Sequence, residues 1–165
     1  MSLAEALLME FDQEAQTTKR VLERVLDDKL AWKPHPKSFS LGQLALHIAA
    51  GPGQIVAAAA QDTAEAPNFS QPEAKSRQEV LETFSKSMAS ARTTLKSMDD
   101  ARLVSMWNLT RNGKPMMEMP RIAFLRSILM NHTYHHRGQL SVYLRILDVP
   151  VPSIYGPSAD ENPFA

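Results

Sequence analysis

The sequence contains no cysteine, so disulfides, iron–sulfur clusters and cysteine nucleophiles are excluded. Any thiol chemistry would have to use a thiol carried in by a ligand. It also lacks an excess of either charge, with 18 Lys and Arg against 18 Asp and Glu. Duplex nucleic acid is held mainly by cationic side chains that displace counterions, and no long run of Lys and Arg is present, so no nucleic acid partner is expected. No apolar stretch reaches the roughly 20 residues needed to cross a bilayer. The longest weakly apolar one, 44–60, is interrupted by Gly51, Pro52 and Gly53 and holds His47 and Gln54. The N-terminus carries Glu5, Glu10 and Asp12 with no basic residue before its apolar ones, unlike a secretory signal. A soluble, cytoplasmic protein is expected.

What is present reads as one all-α domain over residues 1–165, a four-helix bundle with a small excursion or β-hairpin before the last helix. Leu7, Leu8, Phe11, Ala15, Thr18, Val21, Leu22, Val25 and Leu26 recur at spacings of three and four, predicting a first helix over about residues 3–26. Pro34 and Pro36 forbid regular structure next, and Trp32 is expected to pack back on the bundle. Ser40 and Gln43 form a capping box for a second helix that presents Leu41, Leu44, His47 and Ile48 on one face, with a kink or break at Pro52. Residues 62–72 read as a polar, turn-like connection. Ser76 and Glu79 open a third helix with the stripe Val80, Leu81, Phe84, Met88, Ala91, Leu95 and Met98. Asn112-Gly113 signals a hairpin within 99–119. Pro120 fits the first turn of a last helix running to about Leu147, with Phe124, Leu125, Ile128, Leu129, His132, His136, Leu140, Tyr143, Leu144 and Ile146 facing inward. The proline-rich final eighteen residues are expected to be extended. The methionines, among them Met106, Met116 and Met117, read as core filling.

Three of the five histidines fall on inward faces. His132 and His136 are four apart, so their rings leave one side of the last helix about 6 Å apart along its axis. His47 lies on the apolar face of the second helix. Buried imidazoles without partners lose hydrogen bonds, and converging ones repel if protonated; a divalent first-row metal resolves both costs. Gln43, one turn before His47, and Gln139, three residues after His136, are candidate acceptors for the non-ligating ring nitrogens, and Tyr143 could reach the same cavity. The competing reading is of packed, hydrogen-bonded histidines, and spacing alone does not choose. His135 lies about 100° round the helix from His136, on a different line. His35, between two prolines, reads as an exposed or packing residue.

The segment Asn131-His-Thr-Tyr-His-His-Arg-Gly-Gln-Leu-Ser-Val-Tyr-Leu-Arg145, followed by Val149-Pro-Val-Pro-Ser-Ile-Tyr-Gly-Pro-Ser-Ala-Asp160, resembles the C-terminal signature of the DinB family, relatives of the YfiT-like metal-dependent hydrolases. Leu41-Gly-Gln-Leu-Ala-Leu-His-Ile48 resembles that family's second-helix motif. The resemblance covers nearly the whole chain. It implies a four-helix bundle, often a homodimer, with zinc or nickel bound at the positions of His47, His132 and His136. It also implies a metal-dependent enzyme in which water or a small external thiol attacks an electrophilic small-molecule substrate, of hydrolase or thiol-dependent transferase type. The alternative is a non-catalytic, metal-stabilised dimeric stress-response protein.

The residues between His132 and His136 are Thr133, Tyr134 and His135, so the Glu of a His-Glu-x-x-His protease is missing. No carboxylate stands out as a general base; Asp160 or Glu161 could fold back from the tail or be solvated terminal charges. Arg137, beside a ligand, could orient an anionic substrate or serve in a surface salt bridge.

Overall fold

Helix α1 (Leu3–Leu22) starts where Ser2 and Glu5 form a reciprocal capping box, satisfying two backbone donors that the first turn leaves open. Helix α2 (Leu41–Ala60) starts the same way at Ser40 and Gln43, as the sequence signals. Helix α3 (Arg77–Lys96) opens at Ser76, whose hydroxyl accepts from the Glu79 N–H, but Glu79 turns its carboxylate to the Lys75 N–H, so only half of the expected box forms. Each such cap contributes about 1 kcal/mol. The computed structural model describes residues 1–67 and 70–164.

The fold is mostly helical, but the expected all-α class needs correction. A three-stranded sheet of order β1-β2-β3 flanks the helices, built from β1 (Thr63–Glu65), β2 (Met106–Arg111) and β3 (Lys114–Pro120). The β2–β3 hairpin is the one the sequence announces: Asn112 and Gly113 take φ of 52° and 72°, the left-handed pair that a two-residue turn requires. β1 was not expected. It lies within the 62–72 connection and pairs in parallel with β2, Ala64 opposite Leu109. Residues 68 and 69 of that connection lie outside the described residues. Three residues without alternation carry no strand signal of their own; a partner more than forty positions along supplies the ladder. Pro115 and Pro120 lack N–H groups and blunt the free edge of β3.

Two further expectations change in the first two helices. α1 ends at Leu22, four residues early, although Val25 stays buried. α2 continues through Pro52 without a break. The Ser87 hydroxyl of α3 accepts from the Gly53 N–H at 2.7 Å and reaches the Ala50 carbonyl at 3.2 Å, bridging the ladder that Pro52 interrupts. Gly53 permits this approach, since a Cβ there would stand 3.0 Å from the Ser87 hydroxyl.

The last helix is composite. α5 (Arg121–Phe124) leads into a wider π-helical stretch (Leu125–Asn131), and α6 (His132–Ile146) follows, with the His132 N–H reaching back five residues to the Ser127 carbonyl. A five-residue repeat puts Leu125 and Met130 on one line, so Met130 is buried while Ile128 is only half-buried. Ile146, expected inside, is exposed.

One core cluster joins α1, α2, α3 and α6 through Leu22, Leu44, Ile48, Val80, Phe84, Leu140 and Leu144; Trp32 packs on it as expected. A second lies toward the sheet, where Trp107 stacks on Phe124 with ring centroids 3.8 Å apart and donates to the Ala58 carbonyl. Met98 and Met130 are core residues, but Met106, Met116 and Met117 are exposed on the hairpin, contrary to their reading as core filling. Among the described residues no helix is long and apolar enough to cross a membrane.

Candidate metal centre

α2 and α6 pack side by side, and their facing surfaces bring His47, His132 and His136 together. Each ring offers a nitrogen, and the three nitrogens all lie within 4.8 Å of one another. The ring centroids are 5.1 Å apart for His47 and His132, 4.6 Å for His47 and His136, and 4.3 Å for His132 and His136. Helical phase on two separate elements therefore predicts the cluster correctly. All three histidines are half-buried.

The polar atoms of this cluster point at each other. His132 Nε2 and His136 Nε2 are 2.9 Å apart, a contact that needs a proton on one nitrogen and a lone pair on the other. His136 Nδ1 lies 2.7 Å from Gln139 Oε1, the partner expected of Gln139. An amide oxygen only accepts, so Nδ1 carries the proton, His136 Nε2 presents its lone pair, and the shared proton sits on His132 Nε2. Among the described residues the ring of His47 has no hydrogen-bond partner; it lies 6.0 Å from that of Phe39.

Charge is unwelcome at this place. Burial, then the neighbouring His136 and His47, push His132 down to about 4. Burial and His136 lower His47, and burial lowers His136 against the raising effect of its bond to Gln139. The rings are thus neutral at neutral pH, the state in which imidazole ligates. Two nitrogens on a tetrahedral zinc sit about 3.3 Å apart for bonds of roughly 2.0–2.1 Å, close to the observed His132–His136 separation. Three neutral nitrogens that converge at a half-buried place fit a divalent transition metal.

Other expectations fare differently. Gln43 does not support His47: its oxygen accepts from the Ser40 N–H in the capping box, and its amide nitrogen donates to the Gln71 carbonyl. The Tyr143 hydroxyl donates to the Phe39 carbonyl and its ring packs edge-on against Trp32, so it braces the wall rather than entering the cluster. His35 is exposed, and His135 is exposed too, with its ring 5.0 Å from that of His136.

Arg137 corrects the surface reading most sharply. Its side chain is 1% exposed, paired with Glu14 at 2.7 Å and bonded to the Thr18 and Tyr155 hydroxyls, with its guanidinium over the Tyr134 and Tyr155 rings. It faces α1 and the tail and is occupied there, so it does not orient a substrate at the histidines. The tail folds back through charge: Asp160 accepts from Arg145 and the Val151 N–H, and Glu161 pairs with Arg20 and Arg24. Neither carboxylate serves the histidines. Tyr134 donates to Glu10, and the Thr133 hydroxyl returns to the Leu129 carbonyl, so of the three residues between His132 and His136 these two are occupied and only the exposed His135 is not.

A family model described as the DinB family matches residues 1–163. The uncharacterized protein YrdA of Bacillus subtilis (strain 168) is 28% identical over 155 residues, covering 93% of this chain and 89% of its own. The crystal structure of a DinB-like protein from Bacillus cereus ATCC 10987 superposes with a TM-score of 0.74 at 23% identity, covering 92% of this chain and 97% of that one. A DinB-like protein of Bacillus subtilis, YjoA, gives a TM-score of 0.70 at 17% identity over 90% of this chain and 97% of its own.

Proposed function

The chain belongs to the DinB family, and from that premise we propose that it is a metal-dependent enzyme that holds one divalent transition metal on His47, His132 and His136. The observation that carries this reading is the convergence of three neutral ring nitrogens within 4.8 Å of one another, from two helices, at half-buried positions. The four long helical stretches are read with it as a four-helix bundle, and the substrate as a small electrophilic molecule.

Zinc or nickel bound there would lower the pKa of a water or small thiol at the remaining position, supplying a nucleophile at neutral pH. The chain's own part is to keep the rings unprotonated by burial. The thiol would come from outside, since the chain has no cysteine. Arg137 is spent on Glu14, Thr18 and Tyr155, so substrate binding does not use its charge.

The test compares metal-loaded, chelator-stripped and His132→Ala protein in conjugating small thiols to electrophiles and in hydrolysing activated esters. Activity confined to the loaded wild type supports the enzyme. Turnover that survives both stripping and His132→Ala removes it, and metal binding without turnover in any arm leaves the ion a structural role.

A further inference from the structure

We infer that Gln139 is a positioning residue for the metal centre, whose side-chain oxygen locks His136 in the Nδ1–H tautomer so that Nε2 can only ligate. The inference rests on the metal-binding reading above and deepens it. Gln139 Oε1 stands 2.7 Å from His136 Nδ1, three residues along α6 and therefore on the same side of the helix. Gln139 itself is exposed and is not part of either core cluster, so packing gives no account of its placement.

The three rings are not equally held. Among the described residues, the ring of His47 accepts and donates nothing, and the ring of His132 is bonded only to His136 Nε2. Among the described residues only the ring of His136 has a hydrogen bond from outside the trio. A neutral imidazole bears one proton, and the nitrogen that keeps it cannot bind a metal; an acceptor on one nitrogen therefore decides which other nitrogen is available. With Nδ1–H given to Gln139, His136 Nε2 faces His132 Nε2, the atom with which it would share the ion. His136 is then the ligand around which His132 and His47 settle. An amide turned the other way would donate to Nδ1 and leave the proton on Nε2, blocking ligation, so the tautomer is the decisive observable.

Two variants of the full chain test this. Gln139→Leu removes the acceptor and Gln139→Glu keeps it; since residue 139 is exposed, both should fold. Nitrogen chemical shifts of metal-free protein at about pH 8, above the histidine range, report the tautomer. Wild type and Q139E should show His136 protonated on Nδ1, and Q139L should shift toward Nε2–H. Zinc titration should then find Q139L weakened about 10- to 100-fold, with Q139E close to wild type. A wild-type ring protonated on Nε2, or Q139L binding zinc as tightly as wild type, overturns the role of Gln139 while the metal site stands. Wild type that shows the expected tautomer yet binds no zinc overturns the metal reading instead, and with it any positioning role.

Discussion

Helix α2 carries a polar cluster near each end of one stretch, and the two are solved in opposite ways. Near its C-terminus the fully buried Arg121 places its guanidinium among carbonyls that helix ends leave unpaired. Nε donates to Ala59 at 2.6 Å, one terminal nitrogen to Arg102 at 2.8 Å and to the Ser105 hydroxyl, and the other to Gln61 at 3.0 Å and Asp62 at 3.1 Å. Every donor of the fork has an acceptor, and nothing is left for a ligand. Roughly 18 Å back along the helix, at His47, the pattern reverses. There the acceptors face each other, His47 is unbonded among the described residues, and one shared proton holds two rings. A polar group saturated by its own chain is structure, whereas polar groups that share a deficit mark a place prepared for something else.

The largest effect should come from breaking the saturated cluster. Arg121→Leu takes the guanidinium donors from the buried Ala59 carbonyl and from the Gln61 carbonyl, leaving the Arg102 carbonyl only its bond from the Ser105 hydroxyl, and is expected to cost about 2–4 kcal/mol, read by urea unfolding. A cost below about 1 kcal/mol would show that water or backbone movement replaces the guanidinium easily. At the other cluster the signs should separate. His132→Ala is expected to weaken zinc binding by at least about 100-fold, while urea unfolding of the metal-free protein changes little or shows a gain, because a ring with one shared proton is removed.

Acid should discriminate the clusters too. Above the ordinary histidine value of 6.5 the rings are neutral in folded and unfolded chains alike, so nothing is gained or lost. Below it the unfolded chain takes up protons that folded His132 refuses until about 4, so the metal-free protein should lose stability as the pH falls through that window. Denaturation followed by circular dichroism checks this, and substituting all three histidines should flatten the loss. Ser105→Ala, which deletes one acceptor of five around Arg121, should show the smallest effect, about 1 kcal/mol in the same unfolding assay.

What the sequence revealed follows the same division. Caps at Ser40 and Ser76, the Asn112-Gly113 turn and the phase of His47, His132 and His136 are local patterns, and local patterns are legible. The parallel pairing of β1, the five-residue repeat before His132 and the burial of Arg121 and Arg137 are not. β1 and the two arginines each depend on a distant partner: β2 for β1, the ends of α2 and α4 (Asp100–Val104) for Arg121, and Glu14 with Tyr155 for Arg137. Arg137 illustrates the difficulty, since a charged residue beside a candidate ligand suggests substrate contact until its helix face is known. Gln139 could be read correctly because its partner is only three residues away.

The most direct measurement is metal stoichiometry and affinity on protein purified without a histidine tag or nickel resin, stripped by chelation and titrated with zinc. One ion per chain is expected, with affinity lost separately on His47→Ala, His132→Ala and His136→Ala. Saturable binding that all three variants retain, or none by the wild type, would contradict a metal centre at the meeting of α2 and α6.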